Sequence, residues 1–367
     1  MLGVSSLEKK QFIQDLKAKD EVQSVFLIKY MAVMEGKDGK SYLNVILLDA
    51  TGEMEARKWH GAEKIVQQLQ VGDLVGLKGK INQFQGRLQL IIEEMYGVDK
   101  ANYNLDDFAP KSKEAPDKMM DELLAIVNQL EEVYIRDLLL AILNDPEIAR
   151  RLKIWQAGKS VHHAYRSGLL EHILSCTTLG MILSAHYGVN RSYVIAGTIL
   201  HDMCKIYELT EGPVVDYTEE GKLIGHLVKG LELVDHFAMK IKNFPHQQKM
   251  HLKHILLSHH GEYDYGSPKI PHTSEAYLVH LIDMMDSKMN AMEQVKENDN
   301  NVGNWSGMVK HLDRVVYKKS LPSFKDYVSD EEENAEKKVP SQTPIKANNS
   351  SKETAFGSLL KDFKVDK

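Results

Sequence analysis

The chain has 367 residues, 43% of them hydrophobic and 27% charged, with a formal net charge of -6. That length suits two domains plus tails, and that balance is ordinary for a globular protein; the negative charge excludes a global electrostatic grip of the kind a duplex-DNA binder uses. No run approaches the ~18 apolar residues a membrane span needs, the opening MLGVSSLEKKQFIQDLK lacks the pattern of a signal peptide, and two cysteines, Cys176 and Cys204, are too few for a disulfide framework, so a cytoplasmic setting is expected.

Residues 1–20 read as a short polar helix or a loose arm. From Glu21 onward the runs VQSVFLIKYMAV, YLNVILLDA, MEARKW, VGDLVGLKGKINQF and LQLIIEEM are β-rich, with turns at Gly36, Gly39, Gly52 and Gly86. GAEKIVQQLQ inserts a helix between the third and fourth runs. Five strands with a helix in that place is the order of an all-β OB-fold barrel, a nucleic-acid-binding design, here over 21–98. An unrelated small β-barrel is the competing reading. This region holds nine Lys/Arg and ten Asp/Glu, so charge alone does not grip a strand. Base stacking, worth ~1–3 kcal/mol per base, is the substitute. Phe26, Tyr30, Tyr42, Trp59 and Phe84 are the candidates, with half of them expected in the barrel core.

Residues 99–118, with Pro110 and Pro116, read as a linker. From Met119 the period becomes helical, as Leu123, Ile126, Val127 and Leu130 show. Helical text runs to about Val316, giving an all-α domain over 119–320. Residues 321–367 form a tail. Its stretch 329–354 has almost nothing to bury and is expected to be disordered. Phe356, Leu359, Leu360 and Phe363 then fall on one helical face within 354–365. That face would suit docking onto this protein, another copy or a partner; a frayed terminus is the alternative.

Of 16 histidines, 14 lie between His162 and His280. The central feature is His201-Asp202 in AGTILHDMCKIYEL. His172 precedes it in SGLLEHIL, His226 follows in GKLIGHLV, then His259-His260 in ILLSHHGEYDYGSP, and Asp283 in VHLIDMMDSK. Imidazole and carboxylate donors suit Mn²⁺, Fe²⁺, Co²⁺ or Zn²⁺. A carboxylate beside a histidine can bridge two ions ~3.5–4 Å apart, and such a pair activates water for phosphate-ester hydrolysis. In a continuous helix Lys205 shares a face with His201 and Asp202, where its cation would offset charge on the phosphate. Cys204 points away and reads as a packing thiol. His186, His236, His246, His251 and His254 read as surface or packing residues.

The order H…HD…H…H…D resembles that of the HD-domain metal phosphohydrolases. The strings HHAYRSGLLEH, AGTILHDMCKIYEL, YTEEGKLIGHL, LSHHGEYDYGSPKIP and HLIDMMDSKMNAM, together with the barrel, look like the YhaM-type 3′→5′ exoribonucleases. The resemblance spans roughly 21–317. It implies one metal on His172, His201, Asp202 and Asp283, with Asp202 bridging to a second on His226 and His259. It leaves His260 as ligand or substrate contact, puts His162, His163 and Lys288 near substrate phosphates, and suggests Mn²⁺. Cys204 stands where the family's HD-x-GK text has glycine, which puts the local shape in question.

The expectation is therefore a metal-dependent 3′→5′ exonuclease of single-stranded RNA, releasing nucleoside 5′-monophosphates, soluble and with oligomeric state open. A hydrolase of nucleotides or cyclic dinucleotides, or a nucleic-acid-binding protein with an inactive site, are the alternatives.

Overall fold

The computed structural model describes residues 7–322 apart from 37, 38, 85, 160, 300 and 302. The tail readings at 329–354 and 354–365 lie outside the described residues. Five strands close into a barrel in the order β1-β2-β3-β5-β4: β1 (Glu21–Glu35), β2 (Ser41–Asp49), β3 (Gly52–Lys58), β4 (Leu74–Phe84) and β5 (Arg87–Gly97), with helix α1 (Ala62–Gln68) between β3 and β4. All pairs are antiparallel except β3 with β5. The 15-residue β1 makes closure possible. Its first half pairs with β4, and its second half pairs with β2 after a register shift between Ile28 and Tyr30. Gly79 marks a second shift; a Cβ there would sit 2.3 Å from the Ile91 carbonyl oxygen, so only glycine lets β5 approach. Alternate residues Leu43, Val45 and Leu47 point inward with Phe26, Leu77 and Leu90 to fill the interior.

The arm, expected as a short polar helix or a loose arm, and the linker both pack on the barrel. One 3₁₀ turn (Ile13–Asp15) buries Ile13 and Leu16 in the barrel core. Fully buried Asp49 accepts from Lys9 Nζ (2.8 Å), Ile13 N (2.9 Å) and Thr51 Oγ1 (2.6 Å). Burial pushes the Lys9 pKa down, and Asp49 opposes that shift. In the linker, Phe108 is buried with Val25, Leu48 and Leu74, and Tyr103 donates to the Leu7 carbonyl at 2.6 Å.

Helices follow: α2 (Pro116–Asn128), α3 (Val133–Leu143), α4 (Pro146–Leu152), α5 (Gly168–Tyr187), α6 (Arg191–Leu200), α7 (Lys205–Glu208), α8 (Glu219–Leu223), α9 (Gly225–Ala238), α10 (His246–Ser258) and α11 (Ser274–Asn298). The first starts at Pro116, a residue suited to a helix's first position. Helical structure ends at Asn298, short of the expected Val316. Residues 303–319 instead form a looped segment with bridges Trp305↔Tyr317 and Val309↔Arg314. Helix α5 is long and apolar enough to cross a bilayer by length and composition, a test that a buried core helix also passes. It packs on α2, α6 and α11, and half of it is buried.

Breaking the Lys9–Asp49 pair from one side leaves an uncompensated buried charge. Asp49→Ala is expected to destabilise the barrel by roughly 3 kcal/mol, read as a lowered melting temperature in thermal unfolding. An unchanged melting curve would mean that the arm contributes nothing to barrel stability.

Candidate metal centre

Each donor sits at a defined place on a helix. His172 lies in the second turn of α5, His226 opens α9 and Asp283 lies mid-way along α11. His201 and His259 are the residues that end α6 and α10. The last carbonyls of a helix lack intrahelical partners, and both histidines use this. His201 Nδ1 donates to Thr198 O and His259 Nδ1 to Leu256 O, each at 2.9 Å. His172 Nδ1 donates to Asp286 Oδ2 (2.7 Å) and His226 Nδ1 to Glu208 Oε2 (2.9 Å). With Nδ1–H committed in all four, Nε2 is the nitrogen that each ring, once neutral, has left for a metal.

These Nε2 atoms converge on Asp202, which is 2% exposed. Its Oδ2 lies 3.5 Å from His172 Nε2 and 3.6 Å from His201 Nε2. Its Oδ1 lies 3.5 Å from His226 Nε2 and 3.7 Å from His259 Nε2. Asp283 Oδ1 closes the first group, 3.4 Å from His172 and 3.6 Å from His201. One carboxylate oxygen therefore faces each histidine pair. The Nε2 atoms of His226 and His259 are buried without a hydrogen-bond partner, a costly arrangement unless something else takes the lone pairs. Nitrogen and carboxylate donors in this grouping fit a divalent metal.

Electrostatics agree. Asp202 is held well below the usual carboxylate range; burial opposes this, but Lys205, His201 and the surrounding imidazoles outweigh it. Burial likewise opposes the rise of His172, which Cys176 and the carboxylates of Asp202, Asp283 and Asp286 drive well above its ordinary value. That negative field favours a cation in place of the proton. Lys205 donates to Asp202 Oδ2 at 2.6 Å. The two meet across a turn, because α6 stops at Leu200 and α7 begins at Lys205, so the continuous helix expected from the sequence is absent. Cys204 sits in that turn at φ -76° and is fully buried, so the position needs no glycine, and burial raises its thiol pKa to about 12.

His260 joins His226 and His259. Its Nδ1 donates to Tyr265 O at 3.1 Å, and burial first, then His259 and His226, lower it to about 4, leaving it neutral. Gly261 follows at φ +84°, where any Cβ would strike the His280 ring. The two histidines that the resemblance places at phosphates separate. His162 lines an open cleft, whereas His163 is 3% exposed behind His172, its backbone N–H donating to Asn290 Oδ1. Its ring lies 5.2 Å from that of His172 and its Nε2 3.8 Å from Asp286, so it packs against the donors and does not line the cleft. His162 and His163 adopt φ +35° and +46°, strain held beside the donors. Lys288 is exposed on α11 and does not line the cleft. Of the aromatics, Phe26 is 1% exposed in the barrel core and has no face for a base, while Tyr30, Trp59 and Phe84 are exposed and Tyr42 tilts against Trp59 at 5.1 Å. The supporting groups Asp286 and Glu208 went unread in the sequence. Asp286 stands one turn beyond Asp283, a usable signal, but Glu208 meets His226 only through the fold.

The cleft holds about 1040 Å³ and is lined by Lys29 and Thr51 from the barrel and by His162, Tyr165 and Asn290 from the helical domain. Arg166 donates to Asp106 Oδ1 at 2.8 Å and Ser112 N to Arg166 O at 2.9 Å, stitching the linker to the segment that carries His162.

Comparison with known proteins agrees with this architecture. A family described as an OB-fold nucleic acid binding domain matches residues 21–96, and the HD domain matches 169–288. The 3'-5' exoribonuclease YhaM of Oceanobacillus iheyensis is 33% identical over 280 residues, which cover 76% of this chain and 87% of that protein. The chain belongs to the YhaM family. The YhaM of Listeria monocytogenes is 34% identical over 289 residues, covering 77% of this chain and 90% of that protein. Among solved structures, the second OB-fold domain of replication protein A from Methanococcus maripaludis is similar over 24% of this chain and 95% of its own, at 17% identity and TM-score 0.21.

Glu208→Gln and Asp286→Asn remove only the groups that orient His226 and His172. Each is expected to weaken divalent-metal binding about 10- to 100-fold, and Asp202→Ala to abolish it, measured by calorimetric titration with Mn²⁺. Because the imidazoles must be neutral to bind, and His172 is raised, loading should release protons and affinity should fall as pH falls. An enthalpy independent of buffer ionisation would contradict the donor set.

Proposed function

We propose that this chain is a 3′→5′ exonuclease of single-stranded RNA that releases nucleoside 5′-monophosphates with two divalent ions, Mn²⁺ being favoured by the family. The observation that carries the reading is Asp202, with one oxygen toward His172, His201 and Asp283 and the other toward His226 and His259. A pair of ions held there would supply a water of lowered pKa as nucleophile and would neutralise charge on the scissile phosphate.

The chain's own groups do the rest. Asp286 and Glu208 orient His172 and His226. Lys205, on Asp202 at 2.6 Å, adds a fixed positive charge where charge builds on the phosphate. His162 faces the cleft as a neutral imidazole, lowered to about 4 by burial and by Lys205, and can donate one N–H to a phosphate oxygen. A single strand laid in the cleft would touch Lys29 and Thr51 of the barrel and His162, whose ring lies 5.7 Å from that of His172. Tyr42, Trp59 and Phe84 hold the upstream bases by stacking. The buried free thiols Cys176 and Cys204 suit a reducing cytoplasm.

With Mn²⁺ and a 5′-labelled single-stranded RNA, the full chain should give a descending ladder. Lys205→Ala should lower kcat by roughly 10²–10³-fold with little change in KM. An intact strand under conditions where a free nucleotide is hydrolysed would replace this reading with that of a nucleotide hydrolase.

A further inference from the structure

Gln89 is out of place for an outward residue. On β5 it alternates with Leu88 and Leu90, and Leu90 lies in the barrel core, so Gln89 points away from that core; yet it is only 5% exposed. The segment after α11 faces it across a cavity. Asp299 builds that segment, accepting from Asn301 N (3.0 Å), Gly307 N (3.3 Å) and Lys318 Nζ (2.9 Å). Gly307 sits so close to β5 that a Cβ would lie 3.1 Å from Arg87 Nη2. Between this roof and the barrel is a cavity of about 350 Å³, with Glu55, Arg57, Phe84, Arg87 and Gln89 on the barrel side.

We infer that this cavity is a subsite for one guanine base of the bound strand, a proposal that rests on the barrel gripping single-stranded RNA. The wall has two chemistries. Glu55 offers only acceptors, and Arg57 and Arg87 offer only donors. Guanine matches both, with adjacent N1–H and N2–H donors for a carboxylate and O6 and N7 acceptors for a guanidinium. Adenine, cytosine and uracil each present a single N–H donor group, so none can engage a carboxylate through two adjacent groups. Arg57 is held with its guanidinium carbon 5.4 Å from the Tyr42 ring and 5.9 Å from the Phe84 ring, and its Nε is buried without a hydrogen-bond partner. Phe84, 54% exposed, supplies the stacking face, and Tyr42 against Trp59 continues the platform for a neighbouring base. Gln89 Nε2 lies 3.5 Å from Glu55 Oε2 and steadies the carboxylate.

The test uses the full chain carrying Asp202→Ala, which binds without cutting and leaves the barrel unaltered. Fluorescence anisotropy compares a uridine strand of about 12 nucleotides with strands bearing one guanine, adenine, cytosine or inosine at successive positions. One guanine, at one position, should tighten binding about tenfold. Inosine, which lacks the N2 amine, should lose most of that gain. Adding Glu55→Gln should remove the difference between the guanine-bearing and all-uridine strands. The inference is overturned if all bases bind alike at every position, if the preference survives Glu55→Gln, or if free GMP competes as well as the guanine-bearing strand. Hydrolysis of the all-uridine strand by the unmutated chain with Mn²⁺ is scored separately. Its failure would refute the exonuclease reading whatever the base preference.

Discussion

A carboxylate, Asp202, lies almost fully buried among four imidazoles and one ammonium group. Taking such a charge out of water is costly unless it is paired and hydrogen-bonded, and the helical domain is arranged to pair it. Five helices and the turn between α6 and α7 bring donors to one point. Two of the imidazoles are fixed by carbonyls that helix ends leave over, and two by the carboxylates of Asp286 and Glu208. Moving any one helix would misplace a lone pair. The tight packing of α5 on α6 and α11 is therefore a condition for the chemistry as well as for stability.

The barrel is bound to this centre by more than a tether. The linker buries Phe108 on the barrel and pairs at Lys111 with Arg166, close to His162 in the chain. The segment after α11 returns to the barrel, where Asn301 and Gly307 line the small cavity with Gln89 of β5. The large cleft likewise takes its walls from both barrel and helical residues.

Much of this was legible in the residues. Period-two runs broken by glycine turns gave the strands, because a barrel has an inside and an outside. The ligand order could be read because histidine and aspartate in apolar helical text have few other uses. What could not be read depends on contacts distant in sequence. Nothing local distinguishes His162 from His163, and only the fold puts one on the cleft and the other behind His172. Phe26 and Phe84 are alike as residue types, yet one fills the barrel and the other faces solvent. The end of the helical text, expected near Val316, is instead a loop tied by Asp299 and Lys318 meeting across 19 positions. Cys204, read as a departure from glycine, occupies a backbone any residue can adopt.

The most direct test is electron paramagnetic resonance of the full chain titrated with Mn²⁺. Two ions sharing Asp202, about 3.5–4 Å apart, should give an exchange-coupled dinuclear signal that grows to a stoichiometry of two and disappears in Asp202→Ala. A signal that saturates at one ion per chain, with the six-line pattern of an isolated Mn²⁺, would contradict the bridging role of Asp202.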